Sequence, residues 1–290
     1  MSKSIVLLIH ILIFSSTVGA QDSLLHIGKF QSTVALSVDP GGTLYVVDAG
    51  TNQILKISRD GKVLAHVGGY GWSEATFDHP SDISTPNGID IFVADYANHR
   101  VQRFDIKLSD VSSFPTEDDR EQGLQFRYPR SVAYSRHGSL YVVDGENNQV
   151  VRITDNHIEN TFGGIDAGKG KLTHPTKVRV STHDLVYVQD ENALLVYDSF
   201  GNYINTIGKG LFHDLRTFTV VHQSLYVLDS CTVLAYDEDK KAIRSLLSIC
   251  EHTNEIGSPI EDIAVYQDTL FLLTKHNITK IGLSPDTKEK

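Results

Sequence analysis

"LYVVDGENNQVVRI", residues 140–153, is an apolar run that ends in Asp144, a polar Gly-Glu-Asn-Asn loop, and a second apolar run that begins at Val150. Alone, the stretch reads either as an acidic site or as punctuation between two strands. Its copies decide between them. "LYVVDAGTNQILKI" (44–57) and "IFVADYANHRVQRF" (91–104) repeat the pattern, and "VYVQDENALLVYD" (186–198) and "LYVLDSCTVLAYD" (225–237) repeat it more weakly. A sixth copy, "LFLLTKHNITKI" (270–281), has Thr274 where the others have Asp.

The anchors Asp48, Asp95, Asp144, Asp190, Asp229 and Thr274 lie 47, 49, 46, 39 and 45 residues apart. That period matches a four-stranded propeller blade of roughly 40–50 residues. Each unit opens on a strand at or near a proline, as in Pro80-Ser81-Asp82-Ile83, and continues through a turn, a β-rich strand, the polar loop and a third strand. A fourth strand follows a turn such as Arg59-Asp60-Gly61-Lys62 or Ser199-Phe200-Gly201-Asn202. No helical periodicity is sustained over more than two turns, so the class is all-β.

The ends of the chain set the blade count. Fourth strands finish on a recurring phrase, "AHVGGYG" (65–71), "NTFGGID" (160–166) and "NTIGKGL" (205–211), and "LHIGKF" (25–30) repeats it near the N-terminus. The last repeat holds about three strands before the polar tail Pro285–Lys290. Adding residues 24–30 to it closes a six-bladed ring and removes free sheet edges. The expected blades span about 31–71, 77–114, 126–166, 172–210, 211–250 and 256–284, in one domain over 21–290.

"FDHPSDISTPNGIDIFVADYANHRVQRFD" (77–105) combines F-x-x-P, an apolar strand, a glycine turn and the Asp-bearing loop. In this it resembles the NHL-repeat propeller family; blades one and three are also good matches and the later blades weaker. The resemblance implies the six-bladed fold and leaves the function open. NHL-like propellers include protein-binding scaffolds, RNA-binding domains, and metal-dependent lyases or lactonases in related groups. Function has to be argued from a site.

One acid at the same place in five blades is what a repeated structural bond requires, since Asp after a strand accepts backbone N–H groups from a turn. Histidines recur just before first strands: His79 in "FDHP", His174 in "LTHP" and His213 in "LFHD". Three imidazoles converging at a channel mouth could hold Zn²⁺ with one position open. Their spacing, two blades and then one, departs from the alternating-blade arrangement that the resemblance implies for lyases. Tyr128 and Ser258 stand at equivalent places in other blades.

The insertion "GGYGWSEATFDHP" (68–80) carries Tyr70 and the only tryptophan, Trp72. The pair reads either as an exposed binding anchor or as a cover folded over the gap between blades. In "LSDVSSFPTEDDREQGLQ" (108–125), Glu117-Asp118-Asp119 lacks the alternating ligand spacing of a calcium loop and reads as a solvated charged face. Cys231 and Cys250 face each other if a hairpin turns between Lys240 and Lys241, which makes them a disulfide within blade five.

Lys3, the apolar run Ile5–Phe14 and the small residues ending in Ala20 have the form of a signal peptide over 1–20, cleaved near Ala20. A soluble exported protein follows, periplasmic or secreted, with no membrane span. With 36 acidic against 26 basic residues and no basic cluster, nucleic acid is not expected as a partner. No G-x-S-x-G, His-Glu-x-x-His, P-loop or dinucleotide fingerprint occurs.

The leading expectation is a monomeric binding or scaffold module without a cofactor, taking a protein partner or small ligand on the face where the Asp loops emerge. Tyr70, Trp72, His79, Tyr96, His99, Arg100, Tyr128, Arg130, His174 and His213 are the candidate contacts there. The alternative is a metal-dependent lyase or hydrolase, using Zn or Ca at His79, His174 and His213.

Overall fold

Period-two patterning in runs of five or six residues folds into six four-stranded antiparallel sheets, arranged as the blades of a propeller. The computed structural model describes residues 24–237, 242–252, 256–257 and 259–283. The expected leader, the turn at 238–241, Ser258 and the tail from 284 lie outside the described residues.

From the inside outward, blade one holds Thr33–Val38, Leu44–Asp48, Gln53–Ile57 and Val63–Gly68, and blade two Pro80–Ser84, Asp90–Asp95, Arg100–Asp105 and Asp110–Phe114. Blade three holds Pro129–Tyr134, Leu140–Asp144, Gln149–Thr154 and His157–Phe162, and blade four Pro175–Val180, Val186–Asp190, Ala193–Tyr197 and Tyr203–Ile207. Blade five holds Leu215–Val221, Ser224–Asp229, Thr232–Asp237 and Ala242–Ser248. Blade six takes Ile260–Tyr266, Thr269–Thr274 and Ile278–Gly282, and Leu25–Ile27 completes it as the outermost strand. Ile27 pairs with Ile278 and Leu25 with Lys280, so the two ends of the described chain close the ring in one sheet.

The continuous apolar second strands follow from burial on both faces. Tyr45 and Val47 pack toward Ile83, Ile91 and Val93 of blade two, whereas Leu44 and Val46 pack toward Phe271 and Leu273 of blade six. Alternate residues of one strand therefore feed two cores, and six such clusters occupy the six gaps between blades.

The recurring glycine phrase has a steric cause. Gly28, Gly68, Gly163 and Gly208 all have positive φ, and a Cβ there would stand 2.3 Å from Phe30, 2.9 Å from Phe77, 2.5 Å from Leu172 and 2.0 Å from Phe212. At these four outer strands the chain turns sharply so that the next large apolar residue can tuck beneath it.

The repeated acids clasp the loop that leads into their own blade. Asp48 accepts from the Gln31 and Ser32 amides, Asp95 from Asp78, Asp144 from Arg127, Asp190 from Thr173 and His174, and Asp229 from His213 and Asp214. Thr274 instead braces the loop that follows it, its hydroxyl accepting from the His276 and Asn277 amides.

Two local expectations change. Glu117–Glu121 forms a short helix with a capping box between Thr116 and Asp119, and Asp119 is buried, accepting the Ile158 amide. Asp119 therefore anchors the connection to blade three and does not belong to a solvated face. Cys231 and Cys250 are disulfide-bonded with Cα atoms 5.4 Å apart, but the hairpin pairs Asp237 with Ala242, two residues short of the expected register, and a bulge after Val233 recovers one of them at Thr232↔Ser248. The cysteines thus lie just beyond the strand ends, one residue off direct opposition.

Candidate functional site

The first strand of every blade carries an irregularity next to its first residue. A bulge re-aims side chains. Here the third residues, Ala35, Asp82, Ser131, Lys177, Thr217 and Asp262, meet across the axis. Asp82 accepts from the Ser131 hydroxyl and from the Val132 amide at 3.0 Å. Ser131 in turn accepts the Val178 amide at 3.0 Å, and Asp262 accepts the Leu36 amide at 3.0 Å, so the third residue of one blade pins the next.

Two buried cations complete this layer. Arg179 grips Asp82 with both terminal nitrogens, at 2.8 and 2.9 Å. Lys177 donates to Asp262 and to Thr217 Oγ1, the latter at 2.8 Å. Burial pushes the Asp82 carboxyl up, but the Arg179 charge and hydrogen bonds, with Lys177 and Ser131, outweigh it and hold the group below the usual carboxylate range. For Lys177 burial wins and lowers the ammonium despite Asp262. The channel is thus plugged by a hydrogen-bonded ionic layer.

Above the plug lies a depression of about 150 Å³ on the face where the Asp loops emerge. The second residues of the first strands rim it: Val34, Ser81, Arg130, Thr176, Arg216 and Glu261. Gln189 reaches it from the second strand of blade four.

The sequence-picked residues separate into groups on this face. Tyr96, His99 and Tyr128 form an aromatic cluster, with Tyr128 5.3 Å from Tyr96 and edge-on to His99 at 4.3 Å; the Tyr128 amide donates to His99 Nδ1. Tyr70 and Trp72 pack edge to face at 5.8 Å and remain 63% and 70% exposed, so this insertion projects and does not fold over the blade gap. Arg100 is a brace: it donates to Asp95, Ser73 O and Thr76 O, tying that insertion down. Arg130 lines the mouth and donates to Pro175 O.

The three histidines do not converge. His79 Nδ1 lies against Asp78, His174 Nδ1 is 3.5 Å from Glu191 and His213 Nδ1 is 3.6 Å from Asp229, each beside an acid of its own blade. Among the described residues no three His, Cys, Asp or Glu side chains are grouped to hold a metal ion. This donor set does not fit the Zn or Ca site of the alternative reading. No helix of the described residues is long and apolar enough to cross a membrane.

Sequence reasoning passed over Asp82, Lys177, Arg179, Gln189, Arg216, Glu261 and Asp262. A signal was present: a charged residue recurs third in first strands that are otherwise largely apolar or small, as in "PSDIS", "PTKVRV" and "IEDIAV".

Comparison with known proteins agrees with this architecture. The NHL repeat signature matches residues 126–153. A probable peptidyl-alpha-hydroxyglycine alpha-amidating lyase of Caenorhabditis elegans is 28% identical over 130 residues, which cover 43% of this chain and 37% of the relative. NHL repeat-containing protein 3 of Homo sapiens is 27% identical over 130 residues, covering 44% and 36%. NHL repeat-containing protein 2 of Gallus gallus is 31% identical over 86 residues, covering 27% and 12%. The matched region is thus well under two thirds of each relative's length. Among solved structures, virginiamycin B lyase from Staphylococcus aureus superposes with a TM-score of 0.64 at 11% identity, over 90% of this chain and 99% of that one. The RRP9 WD40 repeats superpose at 0.66 and 9% identity, over 91% and 98%. At such identities these two show the fold alone. The Asp-anchored repeats, the matched signature and the closed ring together make this chain a six-bladed β-propeller that carries an NHL repeat at residues 126–153.

Proposed function

We propose that this protein is an exported binding or scaffold module that engages a protein partner or small ligand on the face bearing the Asp loops. One observation carries the reading. Of the four exposed aromatic side chains among the described residues, Tyr70, Trp72, Tyr128 and Phe200, the first three lie in the connections that enter blades two and three, at the end of the ring where the Asp loops emerge. Exposed aromatics are effective anchors because they bury much area at small entropic cost. The ionic layer below the mouth gives the face a floor, so contact is made with a depression and its rim.

The test compares two variants, Trp72→Ala/Tyr128→Ala on the loop face and Phe200→Ala on the turn at the opposite end. Each is purified from the native source, and co-purifying material is quantified against wild type. The reading expects loss for the loop-face variant and retention for Phe200→Ala. Equal retention by both would overturn it.

A metal-dependent lyase or hydrolase is the second reading, supported by the 130-residue similarity to the amidating lyase, with its metal held elsewhere than at His79, His174 and His213, which do not converge. It requires stoichiometric Zn or Ca in the purified protein, so metal analysis that finds neither removes it.

A further inference from the structure

The depression at the channel mouth is a built polar site whose chemistry matches a definite class of ligand. The carboxylates of its floor are paired: Asp82 is held by Arg179, and Asp262 by Lys177 and Thr217. What remains unmatched faces the cavity from four successive blades. Arg130 and Arg216 bring cations from blades three and five, and Glu261 brings a carboxylate from blade six. Among the described residues Arg130 makes one hydrogen bond, to Pro175 O, and Arg216 reaches Asp214 only at 3.7 Å.

Gln189, on blade four, supplies the most specific sign. Its side chain is only 6% exposed, and its Nε2 donates to Leu215 O at 2.8 Å. Its Oε1 is buried and accepts no hydrogen bond among the described residues. A buried amide oxygen left without a donor costs free energy, so a donor supplied by a ligand is favoured there. Lys177 points the same way for the opposite end: an ammonium has three N–H donors, and two are engaged by Asp262 and Thr217.

We infer that this depression binds a small zwitterion of amino-acid size, a free α-amino acid with a short side chain. Its carboxylate takes N–H donors from Arg130, Arg216 and the remaining donor of Lys177. Its ammonium donates to Gln189 Oε1 and to the Glu261 carboxylate. About 150 Å³ is the volume that admits a benzene-sized guest, which matches the five to seven heavy atoms of roughly glycine to serine. A simple anion would leave Gln189 and Glu261 unmatched, and a simple cation would leave the two arginines so. The inference rests on the loop-face reading and names a ligand class for it.

Isothermal titration calorimetry of the purified full protein tests it, with glycine, alanine and serine as probes and with acetate and methylammonium as separate controls. At least one amino acid is expected to bind, with each control at least tenfold weaker. Arg216→Ala and Glu261→Gln, both at exposed rim positions, are each expected to weaken that binding at least tenfold while thermal unfolding stays within about 2 °C of wild type. Gln189→Leu should do the same to binding; should it lower folding stability, the two rim variants still decide. Absence of amino-acid binding at millimolar concentration, or binding indifferent to both rim substitutions, would overturn the inference. Neither rim variant touches Trp72 or Tyr128, so absence of amino-acid binding by the wild type, with partner retention still dependent on Trp72 and Tyr128, overturns this inference and leaves the loop-face reading standing.

Discussion

Arg179→Met removes the cation that grips Asp82 and leaves the rest of the axial layer in place. Asp82 then keeps the Ser131 hydroxyl and the Val132 amide but loses two charge-assisted bonds of 2.8 and 2.9 Å. Its side chain is 5% exposed, so water cannot replace them. Breaking a buried pair from one side costs about 3–5 kcal/mol, because the surviving charge stays desolvated. For a domain of this size that corresponds to a fall in Tm of about 6–20 °C. Asp82→Asn/Arg179→Met removes both charges while an amide oxygen still accepts from Val132, and it should recover most of the loss. Guanidinium denaturation of the wild type, both single variants and the double variant supplies the cycle. A loss below about 1 kcal/mol for Arg179→Met, the range of an exposed pair, or strict additivity in the double variant, would refute the buried-plug reasoning.

Acid should narrow the same gap. The folded Asp82 carboxyl sits below its usual range, so its contribution is full above the unfolded value of about 3.9 and is lost as pH falls through the folded value. In Arg179→Met, burial is unopposed by the arginine, so protonation relieves the variant already above the unfolded value; the stability difference measured at pH 7 should therefore begin to shrink above about pH 4 and keep shrinking below it. Gly208→Ala should cost about 1–3 kcal/mol by denaturant unfolding, since φ is +82° and a Cβ would overlap Phe212; an unchanged midpoint would contradict the tuck beneath the outer strand. Cys231→Ser opens a loop with a sequence separation of 19 and should cost about 3 kcal/mol, with reductant lowering wild type to the variant's stability and leaving the variant unmoved.

The period of the aspartates was enough to find the blades, because a repeated bond leaves a repeated residue. Each of the five acids clasps the loop that leads into its own blade, and the glycine phrase revealed that residues 25–27 close blade six. The disulfide partners were legible from hairpin symmetry, although the bulge after Val233 was not; a bulge adds a residue without a mark in the sequence. Asp119 was misread because its burial depends on the Ile158 amide, 39 residues away. The axial layer was least legible. Asp82 meets Arg179 across 97 residues and Lys177 meets Asp262 across 85, and no local pattern pairs them. The exposed aromatics Tyr70 and Trp72 were visible as departures from the repeat, whereas Arg216, Glu261 and Gln189 sit inside the repeat and declare themselves only when the ring closes.

Hydroxyl-radical footprinting in the fluid of the native source, compared with the purified protein in buffer, tests the loop-face function most directly. Oxidation of Tyr70, Trp72 and Tyr128 should fall severalfold in the native fluid, while that of Phe200, on the opposite face and equally exposed at 65%, should stay unchanged. Protection of Phe200 with free reaction at Trp72 and Tyr128 would place the working surface at the other end of the ring and contradict the assignment.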